Sequence, residues 1–285
     1  MSIVIHGASG AQGGPIFDLL LAKGSKVLAA VRDQSKMGSK PSIVVDNASV
    51  ESMVAAYTGA DAVFFHLPNT SESARLTYAL NFLEAIKTGT PQRVVVSTSG
   101  AIIDQKGSPV QVSDDSAIGT LVNGLSQSGT SHAIVAPRIY LENLLSPTVI
   151  NRVKEAGVLL YPLRVDYAVS WSSHLDVADV AERLLLDHSL SGIVGVGQLP
   201  GLKGADLAKA FALRFGLSVE FVSQTPEDLR KSLAPYLGLA AANVAAFYQK
   251  LLAVDANVIA EETSAQRLLG MTPRTAVEWL SAIPA

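Results

Sequence analysis

The stretch His6-Gly7-Ala8-Ser9-Gly10-Ala11-Gln12-Gly13-Gly14 carries the first chemical signal in this chain. Gly7, Gly10 and Gly13 recur at every third position, after the apolar run Ser2 to His6 and before a segment, Gly14 to Ala22, with helical apolar spacing. A turn built this way, with Ser9, Ala11 and Gln12 between the glycines, lets backbone N–H groups approach a diphosphate at the positive end of a helix. An isolated match can be a plain glycine turn. Here strand and helix flank it in the right order and a second strand follows at the expected distance, so the turn reads as the diphosphate site of a dinucleotide.

The end of that second strand, Lys26 to Val31, selects the nucleotide. NAD-preferring sites place a carboxylate about 20 residues past the fingerprint, where it binds the ribose hydroxyls. This chain has Ala29-Ala30-Val31-Arg32. A guanidinium suits the 2′-phosphate of NADP, with Lys36 near enough in sequence to assist. Asp33 keeps NAD(H) open as an alternative, so the expectation is NADP(H) preferred over NAD(H).

Asp46 and Asn47 close a third strand, where they could meet the adenine or cap the following helix. His66-Leu67-Pro68-Asn69 closes the fourth and should run along the cofactor, with Asn69 or Ser71 also available as a helix cap. Ser97-Thr98-Ser99 closes the fifth, a hydroxyl cluster beside the expected nicotinamide position. A second glycine group, Gly195-Val196-Gly197-Gln198-Leu199-Pro200, has proline in the third-glycine place and reads as a loop.

These residues need a scaffold of alternating elements. Strands are expected at Ser2 to His6, Lys26 to Val31, Ser42 to Val45, Asp61 to Leu67, Arg93 to Ser97, His132 to Ala136 and Gly192 to Val196. Helices are expected at Gly14 to Ala22, Ala48 to Tyr57, Ser71 to Lys87 and around Ser116 to Gln127. Near-continuous apolar strands alternating with helices imply an α/β fold, a doubly wound parallel Rossmann-type sheet covered on both faces. The alternation fails between Tyr140 and Val169, and after Gly201 the pattern is mostly helical with one strand candidate at Ser218 to Val222. This gives an NAD(P)-binding domain over 1–155, to which a late strand at 192–197 returns, and a smaller, mainly helical substrate or regulatory lobe over 156–285. Such a lobe would lie over the carboxyl ends of the strands, where ligands bind in these sheets.

Bulk properties narrow the classes. Hydrophobic residues make up 48% and charged residues 16%, an ordinary globular composition. The net charge of -3, with 22 Lys+Arg against 25 Asp+Glu, does not supply the basic surface that nucleic acid requires. Without cysteine there are no disulfides, thiolate metal sites or cysteine nucleophiles, and the five scattered histidines lack metal-ligand spacing, so no metal is expected. No apolar run reaches the roughly 18 residues of a membrane span, and Met1 leads into a strand without a charged leader, so no membrane partner and a cytoplasmic location are expected.

With these residues the chain resembles the NmrA-like branch of the short-chain dehydrogenase/reductase superfamily over nearly its whole length. The carriers are the Gly7 to Gly14 turn, Val31-Arg32, the stretch Pro137-Arg138-Ile139-Tyr140-Leu141-Glu142-Asn143-Leu144, and His174-Leu175-Asp176-Val177-Ala178-Asp179-Val180-Ala181. The resemblance implies NADP(H) binding, shared by NADPH-dependent quinone and triphenylmethane-dye reductases and by regulators that sense NADP(H). Departures bear on chemistry. No tyrosine has lysine four residues on, so the usual Tyr-x-x-x-Lys proton-transfer pair is absent. Counted back from Glu142-Asn143, the lysine of many family reductases falls at Asn123 and the arginine before the proline at Ala136.

Alcohol–ketone interconversion needs a positioned proton donor and is disfavoured. Hydride addition to a quinone-like or conjugated small molecule gives a delocalised, weakly basic anion that solvent can protonate, leaving placement to the protein. Ser97 and Ser99 would then donate hydrogen bonds near the nicotinamide, Tyr140 would pack on or hydrogen-bond the acceptor, and His66 could supply a proton near neutrality. Tyr140 as a core aromatic and His66 as a packed strand residue are the plainer alternatives. The competing function is a non-catalytic NADP(H)-sensing regulator acting on a protein partner, and a homodimer is left open.

Overall fold

The computed structural model describes residues 2–283. Its first half alternates β1 (Ser2–His6), α1 (Gly13–Ala22), β2 (Lys26–Val31), β3 (Ser42–Val44), α2 (Val50–Tyr57), β4 (Ala62–His66), α3 (Glu72–Gly89), β5 (Arg93–Ser97), α4 (Ala117–Gln127) and β6 (His132–Pro137). There follow α5 (Pro147–Ala156), β7 (Val158–Tyr161), β8 (Ala168–Val169), α6 (His174–Leu186) and β9 (Gly192–Val196). The chain ends in α7 (Gly204–Phe215), β10 (Glu220–Ser223), α8 (Pro226–Leu237), α9 (Ala240–Leu251), β11 (Ala256–Asn257), α10 (Ala265–Leu269) and α11 (Ala276–Ala282).

Side chains alternate across each strand, and the two faces of the sheet bury different helices. Ile3, Ile5, Ala29, Val31, Phe64, Val95 and Val135 pack against Ile16, Phe17 and Leu20 of α1 and Val177, Ala181 and Leu184 of α6. Val4, Ala30, Val63, Phe65, Val94 and Val96 pack on the other face against Met53, Phe82, Ile86 and Leu121. Seven parallel strands run in the order β3-β2-β1-β4-β5-β6-β9, so the direction of winding reverses between β1 and β4. In such sheets the crevice at the carboxyl ends beside that reversal is the binding position.

A second core lies outside the sheet. Ile139, Leu144, Leu159, Tyr161, Trp171, Phe211, Leu251 and Trp279 form it, with two short parallel pairs, β7 with β10 and β8 with β11. The region where sequence alternation fails contains α5 and β7, and the strand expected at Ser218 to Val222 is Glu220–Ser223. Judged by packing, the chain leaves the sheet after Pro137, and α6 returns to it together with β9, so the division at residue 155 is a proposal that packing qualifies at both points. Among the described residues no helix is long and apolar enough to cross a membrane, and no group of three or more His, Cys, Asp or Glu could hold a metal.

Candidate functional site

At the β1–α1 turn each glycine has its own reason. Gly7 has φ +66°, and a Cβ there would stand 2.3 Å from His66 Nε2. A Cβ on Gly13 would stand 2.4 Å from the His6 carbonyl oxygen and 2.5 Å from that of Gly7, which is how α1 comes so close to β1. A Cβ on Gly10 would meet only the Gly7 carbonyl oxygen, at 3.2 Å, and otherwise open space. That open space is the cradle a ligand needs.

The amino terminus of α1 is left uncapped. Helices α2, α3, α4, α6, α8, α10 and α11 each begin with a Ser or Thr side chain accepting from a first-turn N–H. Gln12, in the same position on α1, makes no capping bond, and no acid occupies the first turn. The N–H of Gly10 is tied to Gly7 O at 2.8 Å, so the amides beyond it carry the helix's positive end. An anion is the complementary partner.

An open groove of about 700 Å³ runs beside this turn, bordered by Ser9, Gly10, Lys36, Lys40 and Leu175. Lys40 is paired with Asp18 at 2.6 Å, while Lys36 makes no ion pair with any described residue, although its charge acts on Asp33. Arg32 is exposed after β2, does not border the groove, and makes no hydrogen bond or ion pair with the described residues. Asp33 caps the 3-10 turn Gln34–Met37, accepting from Ser35 N at 3.0 Å and Ser35 Oγ at 2.7 Å. Those bonds hold its carboxyl below the usual value and occupy it away from a ribose.

Asp46 accepts from Ala48 N at 2.9 Å in a local turn, and Ser49 caps α2. Asn47 is a hydrogen-bond partner of the buried His6 imidazole. Leu67 is buried, Pro68 is partly exposed, and Ser71 rather than Asn69 caps α3. Asn123 is exposed on α4 and Ala136 is buried in β6, so neither family position carries a side chain into this site.

Ser97, Ser99 and Tyr140 do converge, Ser99 and Tyr140 on Gln12, whose side chain no sequence pattern singles out, while His66 is the register partner of Ser97 between β4 and β5. Gln12 Nε2 donates to Ser99 Oγ at 3.0 Å, and the Tyr140 hydroxyl donates to Gln12 Oε1 at 3.3 Å. Ser97 Oγ accepts from Ser99 N at 3.1 Å and is also a partner of the Tyr140 hydroxyl. Ser99 has φ +55°, a left-handed conformation that turns its side chain out of the strand direction. Thr98 Oγ1 is buried without a hydrogen-bond partner. The glutamine amide thus spans from the glycine turn to the end of β5.

Burial governs the ionisation of this cluster. It raises the Tyr140 phenol above its ordinary value, so the hydroxyl stays protonated at neutral pH. It lowers His66 and also His174, whose ring lies 4.4 Å from that of Tyr140, so both imidazoles are neutral at pH 7. The expected role of His66 as a proton source near neutrality therefore rests on a weak, neutral donor. Glu142 acts on the cluster through its charge, which is felt by Tyr140 and His174, while its Oε1 accepts from His174 N and from Trp279 Nε1, each at 3.0 Å, tying α6 and α11 to the end of β6.

Beyond the bridge lies a cavity of about 460 Å³. Thr98, Ser99, Gly100 and Tyr140 border it from the sheet side, and Asn143, Asn243, Phe247 and Lys250 from the lobe. Asn143 lies in a quoted motif, but no signal in the sequence pairs helix α9 with Ser99.

The sequence model of the NmrA-like family matches residues 1–280. No curated protein matches the chain. Among solved structures, it is similar to a nucleoside-diphosphate-sugar epimerase from Staphylococcus aureus (TM-score 0.81, 20% identity, covering 98% of this chain and 99% of that one). It is similar to the triphenylmethane reductase of a Citrobacter species complexed with NADP(H) (TM-score 0.81, 16% identity, 99% and 100% covered). It is also similar to an NADPH-dependent quinone oxidoreductase from Escherichia coli complexed with NADPH (TM-score 0.75, 18% identity, 99% of each chain covered). At such identities the likeness is one of fold, and these neighbours differ in chemistry.

Proposed function

This chain belongs to the NmrA-like family, and from that premise we propose that it binds NADP(H) and reduces a quinone-like or conjugated small molecule without a Tyr/Lys catalytic pair. The observation that carries the reading is the β1–α1 turn: an open space over Gly10 beside an uncapped helix amino terminus. Gly7, Ser9, Gly10, Ala11, Gln12 and Gly13 would hold the diphosphate. Arg32 and Lys36, which make no ion pair with any described residue, would take the 2′-phosphate, and Asp33 is occupied by Ser35. Asp46, Asn47, Leu67 and Pro68 would border the adenosine side, and Ser97 and Thr98 the nicotinamide side. NADPH-bound neighbours of the same fold support the choice of nucleotide.

Bound NADPH would supply the hydride. An acceptor in the cavity beside Ser99 would gain that hydride and one proton from water, becoming the hydroquinone or its equivalent. No side chain at the site is poised as a strong acid near pH 7, because burial holds Tyr140 protonated and the imidazoles neutral. That suits an acceptor whose reduced anion is weakly basic and suits a ketone poorly. Ser97, Ser99 and Tyr140 would position the acceptor by hydrogen bonds once the Gln12 bridge opens. Proximity and orientation then carry the rate.

The bridge itself favours a second reading, a non-catalytic NADP(H) sensor in which cofactor uptake breaks the contacts of Gln12 with Ser99 and Tyr140. Turnover separates the two. Purified protein should consume NADPH with small quinones, and Tyr140→Phe or Ser97→Ala should lower the rate. Stoichiometric NADPH binding with no quinone-dependent consumption refutes the reductase and leaves the sensor.

A further inference from the structure

We propose that the cavity beside Tyr140 takes planar conjugated compounds bearing an acidic group, a carboxylate or sulfonate, and that Lys250 and Arg75 hold that group; this rests on the reading of the cavity as the acceptor site. Helix α9 presents Asn243, Ala246, Phe247 and Lys250 to the cavity, the i, i+3, i+4, i+7 positions of one helical face. Its other face, with Ala241, Ala245, Tyr248 and Leu251, is buried in the lobe. Lys250 therefore stands on the face that borders the void. It makes no ion pair with any described residue.

Arg75 borders the same cavity from α3, so cations reach it from both the sheet and the lobe. Arg75 is partly compensated by Glu72 at 2.8 Å, but Glu72 does not border the cavity, and its other oxygen accepts from Ala117 N at 2.7 Å. Arg138, the third cation there, is fully buried and neutralised by both oxygens of Asp104, at 2.7 and 2.8 Å. No Asp or Glu is among the described residues lining the cavity, although acids outnumber bases in the whole chain. The remaining charge is positive. A partly enclosed space of one sign concentrates ligands of the other sign, while Tyr140 and Phe247 offer aromatic surface and Asn243 offers an amide donor.

The test uses probes that cannot be reduced. Binding of naphthalene-2-sulfonate, of its neutral analogue naphthalene-2-sulfonamide and of the cationic 2-naphthylmethylammonium is measured by calorimetry on the full chain, with and without NADP⁺. The sulfonate should bind about ten-fold more tightly than the sulfonamide at low salt, with the advantage shrinking at roughly 0.5 M salt, and the ammonium most weakly. The double variant Lys250→Met/Arg75→Gln should bind sulfonate and sulfonamide alike while retaining the wild-type circular dichroism. Equal affinity in the wild type, a preference intact in the double variant, or binding of neither anion nor analogue overturns the proposal. Titration of the same samples with NADPH keeps the readings apart: anion preference without NADPH uptake refutes the cofactor assignment alone, and NADPH uptake without anion preference refutes the anion site alone.

Discussion

Substituting Gly7 by alanine tests the glycine turn through two separable costs. At φ +66° an L-residue is disfavoured by roughly 1–2 kcal/mol. The new Cβ would also stand 2.3, 3.1 and 3.3 Å from three atoms of the His66 ring, so the imidazole must leave its place beside Phe64. Overpacking of this kind adds about 1–3 kcal/mol. Gly7→Ala should therefore lose roughly 2–5 kcal/mol of stability in urea denaturation followed by circular dichroism. In Gly7→Ala/His66→Ala the clash is gone and only the backbone cost remains, so the double variant should be more stable than the sum of its singles by about 1–3 kcal/mol. Gly13→Ala supplies the contrast. The three atoms nearest its Cβ would all be backbone, the carbonyl oxygens of His6 and Gly7 and the Gly7 carbonyl carbon, so His66→Ala cannot relieve that clash. Additive losses for Gly7 and His66, or rescue of Gly13→Ala by His66→Ala, would refute the reasoning.

Further consequences follow from the same contacts. Burial pushes the His6 imidazole down to about 3 and lowers His66 and His174. The unfolded chain thus binds more protons below about pH 6.5, and His6 alone should remove about 2 kcal/mol of stability between pH 6.5 and 5, above the range where carboxylates titrate; a urea midpoint unchanged over that interval contradicts the burial of these imidazoles. Glu142→Ala leaves Trp279 Nε1 and His174 N without their acceptor and should cost about 2–4 kcal/mol, with Glu142→Gln costing less; a loss typical of a surface site would refute the tie. Gln12→Ala removes the bridge, whose net worth of about 1 kcal/mol corresponds to a roughly five-fold gain in NADPH affinity; a large loss would mean that the amide contacts the cofactor instead.

Much of the sheet was legible because its strands are buried on both faces. Lys26–Val31 and Arg93–Ser97 read as short apolar runs between turn signals, and their observed limits match. The glycine turn was legible because its spacing reflects local backbone geometry. The lobe was not: α5 buries only Val153, and the four-residue β7 exists by pairing with β10, some sixty positions away. Tertiary contact, not local pattern, makes these elements.

The site divides in the same way. Arg32 and Lys36 were visible as cations at a strand end, and Asp33 is diverted to Ser35 by a local hydrogen bond. Gln12 stood in the quoted turn, but its contacts with Ser99 and Tyr140 span 87 and 128 positions. Nothing in the spacing of those residues announces a bridge. Glu142 was quoted as part of a motif, and only packing reveals that it holds His174 and Trp279 together.

Calorimetric titration of the purified chain and of Arg32→Ala/Lys36→Ala with NADPH and NADH tests the central claim most directly. The account predicts one NADPH per chain, bound at least about ten-fold more tightly than NADH, with the preference nearly abolished in the double variant because charge-assisted contacts of about 1.5–3 kcal/mol are lost. Uptake of neither nucleotide, or equal weakening of both in the variant, would contradict it.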